Sequence, residues 1–138
     1  MGSLMKIAII GAGIAGCSLA RLLTHAGQDV TLFEKARGVG GRTSTRRTDW
    51  GGLDHGAQYF TIRDPRFEQF VEQHVPEGVI APWEGHFALL NEHGLQEDRQ
   101  TYPRYVGVGG MNRLSKALAE GITLHTATRI TELKSRGG

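Results

Sequence analysis

The sequence of 138 residues predicts an α/β fold built on a parallel sheet, and three features carry that expectation. A short apolar run ends in clustered glycines, a stretch with apolar residues at helical spacing follows, and a second β-branched run stops at a carboxylate. The first run, Lys6-Ile7-Ala8-Ile9-Ile10, ends at Gly11 and is nearly continuous, the pattern of a strand covered on both faces. From Ile14 to Ala26 the residues Ile14, Cys17, Leu19, Ala20, Leu22, Leu23 and Ala26 recur at helical spacing, and Gly27 stands where the helix should stop. Val30-Thr31-Leu32-Phe33 then reads as a second strand ending at Glu34. Strand, helix and strand within about 30 residues form a βαβ unit with a right-handed crossover.

Beyond Lys35, glycines at 38, 40, 41, 51 and 52 break the periodicity, so loops are expected. Asp64-Pro65 is a helix start, cap then proline at the first helical position, for a helix through Val71. Phe87–Leu90 and Gly94–Gln96 flank Asn91-Glu92-His93 as a hairpin would. Residues 112 to 119 read as another helix, and Ile122 to Leu133 as one or two strands.

Composition bounds the rest. The length is that of one ordinary domain, and 39% hydrophobic with 22% charged residues is typical of a soluble globular protein. No apolar run approaches the roughly 18 to 20 residues that cross a bilayer, and the start lacks a secretory signal, so no membrane segment is expected. Met1–Leu4 reads as an expression remnant ahead of a natural start at Met5. A net charge of +2 without a long basic tract points away from a nucleic-acid partner. The single cysteine, Cys17, cannot form an internal disulfide, which suits a cytoplasmic location. Its apolar helical neighbours make it a core residue rather than a redox or flavin-attachment site.

Gly11-Ala12-Gly13-Ile14-Ala15-Gly16 is a G-x-G-x-x-G motif placed between a predicted strand and a predicted helix. Gly11 permits the tight turn, Gly13 lets a pyrophosphate approach the backbone, and Gly16 lets helix and strand pack closely. The first helical N–H groups, with the positive end of the helix dipole, stabilise that anion without any lysine. Glu34 lies 18 residues after Gly16, where its carboxylate can accept hydrogen bonds from ribose hydroxyls and repel a 2′-phosphate. The competing reading, three glycines in an ordinary loop beside a surface glutamate, leaves that spacing unexplained.

The βαβ unit alone does not choose between NAD and FAD. The following segment, Glu34-Lys35-Ala36-Arg37-Gly38-Val39-Gly40-Gly41-Arg42, resembles the flavin oxidoreductase family that includes amine oxidases, phytoene desaturases and protoporphyrinogen oxidase. The resemblance implies that Gly41 and Arg42 approach the FAD pyrophosphate and ribityl chain, with Lys35 and Gly40 also among the cofactor-binding residues. Gly56-Ala57-Gln58-Tyr59 is similar to the stretch that passes the isoalloxazine ring in renalase and its bacterial relatives, flavin oxidases of misreduced NAD(P)H isomers. Asp64–Phe67 and Arg104–Met111 resemble further segments of that subfamily. By the same resemblance, Arg129-Ile130 supplies backbone groups to the adenine edge.

The resemblance therefore implies a Rossmann-type FAD/NAD(P)-binding domain over residues 5–138, with 62–104 on the side of an inserted substrate domain. It also implies FAD as cofactor, O2 as electron acceptor and a small-molecule substrate, either a reduced nicotinamide dinucleotide or an amine. A complete family member carries a carboxy-terminal Gly-Asp segment that is absent here, so the chain is expected to be an amino-terminal part that binds FAD weakly alone. Two other classes compete, a pure NAD-binding module and a non-catalytic interaction protein. No catalytic residue is singled out. His55 and the other histidines lack triad or metal-ligand spacing, and Tyr59, Phe60, Trp83 and Tyr105 are aromatics suited either to a flat substrate site or to core packing.

Overall fold

A computed structural model describes residues 4–135, so Met1–Ser3 of the expected remnant and the last three residues lie outside it. The leading βαβ unit forms as expected: β1 (Lys6–Ile10), α1 (Ile14–His25) and β2 (Asp29–Phe33), with the strands parallel and Lys6 opposite Asp29. The helix stops where Gly27 adopts a φ of 78°. The Gly27 N–H donates to the Thr24 carbonyl and the Gln28 N–H to the Leu23 carbonyl, the paired bonds that satisfy the last carbonyls of a helix.

A hairpin follows, β3 (Thr45–Thr48) against β4 (Gly51–Asp54), and then β5 (Phe60–Thr61). Helix α2 (Pro65–His74) starts at Asp64, whose carboxylate accepts the Arg66 N–H at 2.8 Å with Pro65 at the first position. After β6 (Ile80–Pro82), a second hairpin pairs β7 (Ala88–Asn91) with β8 (Gly94–Glu97). The chain continues through β9 (Arg104–Gly107), α3 (Asn112–Ala119) and β10 (Thr123–His125). Strand β10 returns to the first sheet beside β2, giving the parallel order β1-β2-β10, while β5, β9 and β6 form a separate antiparallel sheet. Among the described residues no helix is long and apolar enough to cross a membrane.

Helices α1 and α3 pack together over the parallel sheet, with Leu32, Cys17, Ala20 and Leu118 fully buried between them. Arg21 ties the helices through its guanidinium, donating to the carbonyls of Leu118 at 3.0 Å, Ala117 at 3.2 Å and Glu120 at 2.5 Å. These carbonyls end α3, where the helix leaves acceptors open, and that of Ala117 also accepts the Glu120 N–H at 3.3 Å. Cys17 belongs to this core as expected, and burial followed by the nearby Glu34 charge pushes its thiol up to about 11.

Two expectations need correction. Strand β1 is covered on one face only: Ile9 is buried and Ile7 packs on the core, while Ala8 is exposed and Ile10 is 54% exposed. The described helices of this layer stand on the same side of the sheet, and a continuous apolar run does not reveal that. The stretch from Ile122 to Leu133 forms one strand, β10, within the one or two expected, and Ala127, at a φ of 49°, turns the chain away after it. The loop expected around Gly51-Gly52 is the β3–β4 hairpin, whose polar strands lack an apolar alternation.

Two outcomes follow. A Cβ on Gly16 would stand 1.9 Å from the Gly11 carbonyl oxygen, a backbone atom that cannot yield, so Gly16→Ala should destabilise the fold by about 3 kcal/mol or more in denaturant unfolding. His74 meets His25 edge-on at 5.4 Å, and burial, then His25, then Arg21 hold its imidazole below the ordinary value of 6.5. The unfolded chain then takes up this proton first, so the His74 contribution is present above pH 6.5 and lost as the pH falls through the native value. The denaturant midpoint of His74→Gln should fall less than that of the parent between pH 7.5 and 5.5, and equal falls would contradict it.

Candidate functional site

The motif glycines surround the start of α1. Gly11, at a φ of 102°, donates its N–H to the Phe33 carbonyl at 2.7 Å and turns the chain from β1 into the helix. Gly13 is the residue before the helix, and neither a capping side chain nor an acidic residue occupies the first turn. The N–H groups of Ile14, Ala15 and Gly16 therefore head a helix whose positive dipole end carries no counter-charge from its own turn. Gly16 is explained by packing alone, as its clash with Gly11 shows. Gly13 is not: its φ is −76° and a Cβ there would meet nothing closer than 4.0 Å. Its missing side chain leaves room at the helix tip that the protein does not fill.

The second glycine segment meets the first at this point. Gly40 donates its N–H to the Ala12 carbonyl at 2.8 Å and bridges Gly13 as a parallel strand would. Gly41, at a φ of 55°, approaches so closely that a Cβ would sit 3.3 Å from the Gly13 Cα. Gly41, Arg42 and Thr43 form one 3-10 turn, with the Arg42 side chain exposed.

Glu34 joins the two. Although it is only 7% exposed, its carboxylate has partners on both oxygens: Oε2 accepts the Ala12 N–H and Oε1 the Ala36 N–H, each at 2.8 Å. A carboxylate offers about four acceptor positions, so two remain for hydroxyl donors. Beside it lies a cavity of about 260 Å³ lined by Gly11, Phe33, Glu34, Lys35, Arg129 and Ile130 among others. The chain after β10 is held there by the Thr128 N–H on the Glu34 carbonyl and the Ala127 N–H on the Ala36 carbonyl. The fold thus brings together Gly11, Gly13, Ile14, Ala15, Gly16, Glu34, Lys35, Gly40 and Gly41, with Ile130 on the far wall of the cavity.

Gly56 and Ala57 dock on the same 3-10 turn. The Ala57 N–H donates to the Arg42 carbonyl at 2.9 Å, and a Cβ on Gly56 would lie 2.1 Å from that oxygen. Gln58 is exposed, and Tyr59 faces another cluster. Its ring lies 6.0 Å from Trp83 and 5.0 Å from the Arg104 guanidinium, which also stands 4.0 Å over Phe87 and pairs with Asp98. Sequence reasoning missed this knot. Arg104 is 9% exposed, and nothing in the spacing of Asp98 and Arg104 signals that β9 buries a guanidinium among aromatic rings. Phe60 and Tyr105 stack on one another at 5.8 Å across β5 and β9, so their rings serve packing. His55 is exposed and reaches only the Ser44 hydroxyl, at 3.4 Å.

Residues 9–74 match the family model for the NAD(P)-binding Rossmann-like domain. The chain is similar to the hydroxyneurosporene desaturase of Rubrivivax gelatinosus, with 39% identity over 62% of this chain and 18% of that protein. It is also similar to a 4,4'-diapophytoene desaturase of Staphylococcus aureus (strain MRSA252), at 35% identity over 49% of this chain and 16% of the relative. The chain spans less than a fifth of the curated relatives it matches. Among solved structures, an oxidoreductase from Methanosarcina mazei shares the fold, with a TM-score of 0.65 and 16% identity over 89% of this chain and 51% of that one. The fold is therefore Rossmann-like, and residues 9–74 are similar to an NAD(P)-binding domain of that kind.

Proposed function

We propose that this chain holds the ADP half of FAD in an FAD-dependent oxidoreductase. The observation that carries the reading is the convergence of Gly13, Gly40 and the anchored Glu34 carboxylate at the uncapped tip of α1. The room left at Gly13 suits a diphosphate, whose oxygens would accept from the N–H groups of Ile14, Ala15 and Gly16. Glu34 would take the ribose hydroxyls on its two open acceptor positions, while Lys35 and the backbone of Arg129 and Ile130 would border the adenine. Gly41 and Arg42 would meet the pyrophosphate and ribityl chain, Arg42 through its forked donors. Gly56, Ala57, Gln58 and Tyr59 would pass beside the flavin ring, positioned through the Arg42 carbonyl. Residues 62–104 would lie toward the substrate.

Bound flavin would supply hydride acceptance and reoxidation by O2, and the chain's own residues would bind and orient it. The reading reaches further to a renalase-like oxidase of reduced nicotinamide dinucleotide isomers, supported by the Gly56–Tyr59 segment. A flavin amine oxidase is the alternative. The sequence likeness to carotenoid desaturases supports the wider flavin class and favours a third substrate type, a polyene.

Gly13→Ala separates binding from folding, because a Cβ at this position would meet nothing closer than 4.0 Å and its φ is ordinary. The variant should unfold at a denaturant concentration close to that of the parent while its FAD affinity, read by flavin fluorescence, falls at least about tenfold, the loss of one charge-assisted contact. Unchanged FAD affinity in a folded Gly13→Ala would remove the proposal. With flavin bound in the full-length protein, anaerobic bleaching of the visible flavin band by reduced nicotinamide isomers is expected. Bleaching by amines alone would replace the finer reading with the alternative.

A further inference from the structure

Away from the glycine loop, Arg47, Arg113 and Lys116 line a single cavity of about 390 Å³ between the β3–β4 hairpin and the first turns of α3. Arg47 and Arg113 are 66 positions apart in the sequence, so the fold, and not a local basic run, brings them together. None of the three takes part in an ion pair among the described residues, and no carboxylate lines the cavity. Asp54, in the adjoining strand, directs Oδ1 to the Thr45 hydroxyl at 2.5 Å and the Met111 N–H at 3.0 Å. Burial, then Arg47, then Arg113 hold the Lys116 ammonium below the ordinary lysine range.

The arrangement is firmly built. The Asn112 N–H donates to the Thr45 hydroxyl at 3.3 Å, and a Cβ on Gly110 would stand 2.6 Å from that same oxygen, so hairpin and helix meet without room for a side chain. The start of α3 is capped from the hairpin, the Met111 N–H donating to the Asp54 carboxylate and the Asn112 N–H to the Thr45 hydroxyl, so the positive character of the cavity comes from its three cations, none of them ion-paired among the described residues. Like charges gathered in a concavity repel one another, and an anion seated among them removes that penalty. The cavity shares no lining residue with the one beside Glu34.

We propose that this cavity binds the phosphate group of a small soluble phosphate monoester. Arg47 and Arg113 offer forked donors to the phosphate oxygens, and Lys116 a compact charge. Asn112 and Thr48 also line the cavity and would meet the organic part of the ester.

The test is an NMR titration of the isotopically labelled chain with inorganic phosphate and with glycerol 3-phosphate, at fixed ionic strength against sodium chloride. Saturable shifts at Gly52, Gly109, Arg113 and Lys116 are expected, with signals from Gly13 to Gly16 reporting separately on the glycine loop. Arg113→Gln and Lys116→Gln should each weaken the fitted affinity roughly tenfold, the loss of one charge-assisted hydrogen bond. Both replace unpaired side chains, and an unchanged or raised thermal midpoint without phosphate verifies that the variants fold. Shifts that match the chloride control, affinity unchanged in both folded variants, or binding to phosphatidic acid vesicles but to neither soluble probe would overturn the proposal.

Discussion

One carboxylate organises the glycine-rich end of the parallel sheet. Glu34 ends β2 and accepts an N–H from Ala12, in the turn after β1, and another from Ala36, in its own loop. Hydrogen bonds to a charged acceptor are worth roughly 1.5 to 3 kcal/mol each, and losing the carboxylate would also leave the buried Ala12 N–H without its partner. The same residue's backbone joins β10 and the turn after it, through the His125 carbonyl and the Thr128 N–H. The glutamate proposed to hold a ribose is thus also the clamp between the parallel strands and their crossover loop.

The geometry around the helix tip follows from that clamp and from two kinds of glycine. Gly16 and Gly56 have no side chain because protein backbone occupies the space, the Gly11 carbonyl for one and the Arg42 carbonyl for the other. Gly13 has none although the protein leaves the space open. The distinction separates residues that hold the fold from a residue that keeps a path clear. It also explains how Gly40 and Gly41, more than twenty residues beyond Gly13, come to lie against it.

The βαβ unit and α2 were legible because their signals are local: apolar runs of the right length and a glycine stop at Gly27 for the first, and an Asp64-Pro65 start for the second. The convergence of Gly13 with Gly40 was not legible from spacing, since it depends on the path of the loop between Glu34 and Gly41. The one-sided cover of β1 escaped for a related reason, because Ile7 to Ile10 are apolar whichever face the helices take. The β3–β4 hairpin was hidden by Thr45-Arg46-Arg47-Thr48, a polar strand set by its contacts with α3 rather than by alternation. Likewise, the Arg104 knot depends on Tyr59, Phe87 and Asp98 meeting across long loops.

A crystal structure of the chain with ADP bound tests the account at its centre. The result expected is a diphosphate within hydrogen-bond distance of the N–H groups that open α1, beside Gly13, with ribose hydroxyls on a Glu34 carboxylate that still accepts from Ala12 and Ala36. An ADP molecule bound elsewhere, or a Glu34 side chain turned out of the turn to meet it, would contradict the account.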